Sequence, residues 1–249
     1  METTGLFKDK VALVTGAASG IGQATALAYA AGGAKVIVSD MRDNETVAMI
    51  KAKGGEASFI KADVSIAAEC EQLIKKTIET YGKIDIAFNN AGILGETNHL
   101  ADTSLEGFEK VIRVNLNSVF YCMKYELAAM LKQGGGVIVN TASILGTVGF
   151  ESFSGYVAAK HGVVGLTQNA AIEYSSKNIR INCVAPGFIN TPLLDAMDKK
   201  AKDVLSLKHP IGRLGKPEEV AELVIWLSSE KASYSTGGYY PIDGGYLAV

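Results

Sequence analysis

Three side chains of this 249-residue sequence are suited to moving a proton on and off an oxygen: Ser143, then Tyr156 13 positions later, then Lys160 four further on. A phenol ordinarily titrates near pH 10, too high for a base at neutral pH. A lysine ammonium beside it, together with the positive ring of an oxidised nicotinamide, favours the phenolate. Ser143 can hydrogen-bond the substrate oxygen and hold it for transfer. With 10 Tyr and 24 Lys plus Arg, a Tyr followed by a basic residue four later arises about once by chance, so the setting decides. That setting is a glycine-rich turn, Thr15-Gly16-Ala17-Ala18-Ser19-Gly20-Ile21-Gly22, between a first strand and an Ala-rich helix. Turn and triad together imply hydride transfer between a nicotinamide and a carbonyl or alcohol carbon.

Short β-branched runs that must position these residues alternate with helical stretches along the whole chain. Strands are expected at 11–15, 35–40, 58–62, 84–89, 136–143, 179–185 and 239–242. Helices are expected at 21–31, 44–53, 67–81, 105–131, 155–176 and 218–227. Continuous apolar strands separated by helices predict βαβ units, and hence a Rossmann-type, doubly wound parallel sheet with helices on both faces. No Pro/Ser-rich linker or repeat divides residues 1–249, so one domain is expected. Tyr156 and Lys160 fall at the start of a helix, where positions i and i+4 share a face. The segment 187–210 is irregular but carries Leu193, Leu194, Met197, Val204 and Leu205, as a lid over a ligand would.

Each glycine of the turn has a reason: tight turning, close approach of backbone to a pyrophosphate, and helix–strand packing. The helix that follows offers free N–H groups and a positive dipole end to phosphate. Asp40 ends the second strand 20 residues after Gly20, a distance suited to the adenosine ribose hydroxyls. It also repels a 2′-phosphate, so NAD(H) is favoured; Arg42 could pair with that phosphate, so NADP(H) stays possible. A helix cap near Asp43-Asn44 is the other role open to Asp40. Asp63 and Val64 follow the third strand, where a carboxylate could reach the adenine amino group. Asn89-Asn90-Ala91-Gly92 follows the fourth, where small residues let backbone approach the cofactor.

Net charge is −2, giving no basic field for nucleic acid or an anionic membrane. Neither a secretory leader within Met1 to Lys10 nor a membrane span is recognised. Three scattered cysteines and three histidines show no disulfide framework and no metal-ligand spacing, as in a cytoplasmic protein.

Thr15–Gly22, Asn89–Gly92, Asn115, Ser143, Tyr156/Lys160 and Pro186-Gly187, in this order, resemble the short-chain dehydrogenase/reductase family in its roughly 250-residue single-domain form. The resemblance covers nearly the whole chain. It implies seven parallel strands in the order 3-2-1-4-5-6-7 and a catalytic set of Asn115, Ser143, Tyr156 and Lys160, with Asn115 supporting a proton relay. It implies that Lys160 also binds the nicotinamide ribose, and that Ile189 and Thr191 contact the carboxamide. It further implies a homotetramer, with Pro241-Ile242-Asp243-Gly244-Gly245 near an interface. The expected cofactor residues are thus Gly16, Ser19, Gly20, Ile21, Gly22, Asp40, Asp63, Val64, Asn89, Ala91, Gly92, Tyr156, Lys160, Pro186, Gly187, Ile189 and Thr191. Ile93–Leu94, Ser143, Leu145, Glu151–Phe153, Tyr156 and the lid from Phe188 to Leu205, with Leu194 and Leu205, are expected around the substrate. Their apolar character points to a hydrophobic ketone or secondary alcohol. A 3-oxoacyl-carrier-protein reductase and a sugar dehydrogenase are the alternatives. Surface roles are expected for His99 and Tyr246.

Overall fold

Alternate side chains of the central strands feed two separate hydrophobic layers. Leu13, Ile37, Ala87, Ile138 and Ile181 point to one face, and Ala12, Val14, Val36, Val38, Ile86, Phe88, Val139 and Val184 to the other. This is the period-two geometry of an extended strand covered on both sides. The computed structural model describes residues 5–43, 45–195 and 197–249. Its strands are β1 (Val11–Thr15), β2 (Lys35–Asp40), β3 (Glu56–Lys61), β4 (Ile86–Asn89), β5 (Gly136–Thr141), β6 (Ile179–Pro186) and β7 (Tyr239–Ile242). They form one sheet in the order β3-β2-β1-β4-β5-β6-β7, and all pairs are parallel. This is the doubly wound Rossmann-type fold of a single domain.

Helices α1 (Gly20–Ala31), α2 (Thr46–Ala52) and α8 (Pro217–Ser228) pack on one face, and α3 (Ala67–Tyr81), α5 (Ser118–Gln133) and α6 (Ser154–Tyr174) on the other. The order in which strands are added reverses between β1 and β4, so the crevice beyond their carboxyl ends is the place for a ligand.

Three differences from the expected elements bear on the site. The helix expected over 105–131 is α4 (Leu105–Ile112) joined to α5 through a π-helical turn, Arg113–Asn117. An i→i+5 turn widens the helix locally and re-aims its side chains, which no hydrophobic period reveals. Within 187–210, expected to be irregular, lie a 3₁₀ turn (Pro192–Leu194) and helix α7 (Lys199–Leu207), whose cap Asp198 accepts from the Ala201 amide at 2.7 Å. Strand β5 stops at Thr141, leaving Ser143 to open a 3₁₀ turn. The expected start of α2 at Asn44, and Met1–Thr4 of the amino terminus, lie outside the described residues. No helix among them is long and apolar enough to cross a membrane.

Candidate active site

Tyr156 stands in the first turn of α6 and Lys160 one turn later, both facing the carboxyl ends of β4, β5 and β6. Lys160 is buried, and its Nζ donates to the Thr141 carbonyl at 2.6 Å and lies 5.5 Å from the centroid of the Tyr156 ring. Burial lowers its pKa from 10.5 to about 8, because a desolvated ammonium is less stable than the neutral amine. Tyr156 is partly exposed at the cleft, yet burial pushes its phenol up to about 12 while hydrogen bonding with Ser143 opposes the rise. Ser143 is buried, its Oγ accepting from the Leu145 amide at 3.1 Å.

Asn115 occupies the π turn, fully buried. Its Oδ1 accepts from the Ile93 amide at 2.8 Å and its Nδ2 donates to the Ile93 carbonyl at 2.7 Å. The side chain thus clamps the loop after β4. A Cβ on Gly92 would come 3.1 Å from that Oδ1, so the clamp and the glycine fit each other.

Ser143, Tyr156 and Lys160 face a cleft of about 810 Å³, counted to its open mouth, which Asn115 does not line. Its apolar walls include Leu94, Leu145, Phe150, Phe153, Phe188 and Leu194, and its cofactor side Ile21, Asn90, Gly92, Pro186, Gly187, Ile189 and Thr191. The volume suits a small ligand. Phe150 packs edge-on against Phe153 and Phe188 with centroids 5.3 and 5.6 Å apart. Phe188, at the start of the expected lid, lines the cleft; Phe150 is the aromatic wall that spacing alone did not single out.

Several expected site residues are placed differently. Leu205 is buried but does not line the cleft; its carbonyl sits 2.9 Å from His209 Nδ1. Regular α7 turns Leu205 inward and leaves Val204 exposed. Asn89 points into the core, donating to Glu126 Oε2 and Asn140 Oδ1 at 3.0 and 3.1 Å. Its neighbour Asn90 lines the cleft instead and donates to the Thr15 and Gly16 carbonyls, both at 3.2 Å. In an extended segment adjacent side chains take opposite sides, and a pair of Asn residues does not say which is which. Glu151 is exposed and pairs with His99 at 3.7 Å, away from the cleft. Tyr246, expected at the surface, is half-buried against Phe188 and His209.

Asp40 serves the turn rather than a helix start: Oδ2 accepts from the Ala18 amide at 3.1 Å and Oδ1 from the Met41 amide at 2.8 Å. Arg42 is exposed. Asp63 accepts from the Ser65 amide at 2.9 Å, and the Val64 carbonyl accepts from Cys70 Sγ, both just after β3. The backbone amide of Ala91 donates to Thr15 Oγ1 at 3.3 Å.

A profile described as enoyl-(acyl carrier protein) reductase matches residues 16–247. The chain belongs to the short-chain dehydrogenase/reductase family. It is 51% identical over 245 residues to a cyclohexanol dehydrogenase of Acinetobacter sp. (strain SE19), covering 97% of this chain and 96% of that one. A 2,5-dichloro-2,5-cyclohexadiene-1,4-diol dehydrogenase of Sphingobium indicum (strain DSM 16412 / CCM 7286 / MTCC 6364 / B90A) is 42% identical, covering 96% of this chain and 98% of that one. The crystal structure of levodione reductase superposes with a TM-score of 0.93 at 42% identity, covering 98% of this chain and 99% of that one. Like its short-chain relatives, the chain is an oxidoreductase acting on CH–OH groups with a nicotinamide cofactor.

The glycine turn fits a dinucleotide of this kind. Gly16 and Gly20 adopt φ of 62° and 56°, and a Cβ on Gly22 would stand 2.2 Å from the Gly16 carbonyl oxygen. Ser19 makes no side-chain cap to α1, leaving the first-turn amides to an anion.

Proposed function

We propose that this chain interconverts an apolar, ring-shaped ketone and its secondary alcohol, with NAD(H) preferred to NADP(H). The observation that carries the reading is the cleft, whose lining is mostly aliphatic and aromatic around Ser143, Tyr156 and Lys160. Such a pocket gains from enclosing hydrocarbon and leaves a sugar's hydroxyls without partners. The substrates named for the relatives are cyclic: a cyclohexanol and a cyclohexadienediol.

The bound nicotinamide supplies hydride to the carbonyl carbon, or accepts it from the alcohol. Ser143 holds the substrate oxygen. In reduction Tyr156 gives its phenolic proton to that oxygen, and in oxidation the phenolate takes it back. The Lys160 ammonium favours the phenolate, and its depressed pKa lets the amine exchange protons near neutral pH. Asn115 braces the loop facing this set and supports the relay to Lys160. Asp40 places its negative charge beside the glycine turn, where a 2′-phosphate would be repelled. The segment 187–210 acts as the lid.

The test is absorbance of NADH, and separately NADPH, with cyclohexanone-type ketones, sugars and 3-oxoacyl thioesters. NADH oxidation with cyclic ketones is expected. The second reading, a 3-oxoacyl-carrier-protein reductase, is supported by 41% identity to one from Thermotoga maritima; turnover confined to NADPH and acyl thioesters would select it. We further propose self-association into a tetramer through the α5–α6 face, where Phe120 and Leu131 are 49% and 44% exposed. Light scattering of the purified protein checks it, a monomer being the adverse result.

A further inference from the structure

His209 follows α7, only 3% exposed. Its Nδ1 lies 2.9 Å from the Leu205 carbonyl oxygen, and the Phe188 amide donates to its Nε2 at 3.2 Å. A carbonyl can only accept and an amide N–H can only donate. A single form of imidazole satisfies both: neutral, with its proton on Nδ1 and its lone pair on Nε2. The other tautomer sets lone pair against lone pair, and the protonated ring sets N–H against the Phe188 N–H. The fit is tight, since a Cβ on Gly187 would come 2.7 Å from Nε2. Beyond this bond stands the substrate wall. The Phe188 ring packs on His209 at 5.7 Å, on Tyr246 at 6.1 Å and on Phe150 at 5.6 Å, and it lines the cleft.

We infer that His209 is a positioning residue for substrate: its Nε2 lone pair fixes the Phe188 backbone and so holds the aromatic wall against the cleft. The inference rests on reading that cleft as the ketone and alcohol site. The charged and titratable groups around the ring are engaged with other partners. Asp243 commits Oδ1 to the Gly245 amide at 3.0 Å and Oδ2 to the Leu247 amide at 2.9 Å. Arg213 and Glu219, beyond His209 across an adjacent cavity, bind each other at 2.6 Å. The Lys208 ammonium lies 5.4 Å from the Phe150 ring centroid, and burial raises the Tyr246 phenol so that it stays protonated. The hold on Phe188 thus rests on the Nε2 lone pair of the neutral ring.

Two variants separate the roles of the ring nitrogens. His209→Asn keeps a donor for Leu205 but nothing to reach Phe188; His209→Gln offers an uncharged acceptor near the Nε2 position. His209→Asn should show a KM for a cyclic ketone raised on the order of tenfold over wild type, as for a buried N–H left without its acceptor, while kcat changes far less. His209→Gln should restore the low KM. Equal KM in the Asn variant and the wild type, or a KM in the Gln variant as high as in the Asn variant, would overturn the inference.

A readout without turnover is imidazole ¹⁵N NMR, tractable with three histidines and assigned by difference with the Gln variant. It should report the Nδ1–H tautomer, with the Phe188 amide shift moved in the Asn variant; an Nε2–H tautomer would refute the proposed contact. Absence of ketone turnover by the wild type would sink the functional reading and with it the substrate role, while the NMR result would still judge the tautomer and the Phe188 coupling.

Discussion

Lys160 Nζ and the Thr141 carbonyl meet at 2.6 Å, which ties the second turn of α6 to the end of β5. Through this bond the sheet edge sets where the Lys160 ammonium sits relative to the Tyr156 ring. The cost of burying that ammonium is visible in its pKa, brought down to about 8. Between about pH 8 and 10.5 the unfolded chain holds a proton on this lysine that the folded chain has released, so stability should rise with pH through that window. Lys160→Met should remove this part of the slope. Thermal melts of both proteins from pH 7 to 10.5 check it; parallel curves would contradict the assigned burial.

Glu126, on α5, tests the same physics in the opposite sense. It is fully buried, and its Oε1 has no hydrogen-bond partner. Burial raises its pKa from 4.5 to about 7, with the hydrogen bond from Asn89 opposing. A raised carboxyl favours the folded state below the unfolded pKa, and that contribution is lost as pH climbs through about 7. Glu126→Gln should therefore gain stability relative to wild type between pH 5 and 8, read from urea midpoints at each pH.

Tyr156→Phe removes the transferable proton and keeps the ring over Lys160. Turnover should fall by about 10²–10⁴, the usual range for a lost general acid–base group. Dinucleotide affinity, measured by calorimetry, should stay within a few-fold. Retained turnover would mean that the proton moves by another route.

Asp40→Asn is the cleaner probe of cofactor choice, because an amide oxygen can still accept from Ala18 while the charge is gone. The NADPH-to-NADH ratio of kcat/KM should rise about tenfold, as expected for removing one like-charge repulsion near the surface. An unchanged ratio would remove Asp40 from the discrimination.

Gly22→Ala should damage the dinucleotide cradle, since its Cβ would stand 2.2 Å from a backbone oxygen. Overpacking of this kind costs about 1–3 kcal/mol. The expected result is a lower melting temperature together with loss of NADH binding by fluorescence titration.

Much of this was legible in the residue string. Seven short runs, most of them β-branched, separated by helices led to the parallel sheet, because strands buried on both faces are near-continuously apolar. The Tyr156/Lys160 spacing put both side chains on one helix face, and the position of Gly16–Gly22 between a strand and a helix marked the phosphate end of the crevice. These are local relations, carried by the periods 2 and 3.6 of the backbone.

Tertiary structure alone decided the remainder. Whether Asn89 or Asn90 faces the cleft depends on which side of β4 meets Glu126. Leu205 left the expected substrate wall because α7 turned it inward, while Phe150 was brought to the cleft and His209 to the back of Phe188 from separate loops. Their sequence separations carry no period, so only packing against the finished sheet edge could place them together. Asn115 joined the set through a π turn whose extra width is a property of hydrogen bonding rather than of residue type. The reaction class follows from residue types at fixed spacings, and the shape that selects a substrate follows from long-range contacts.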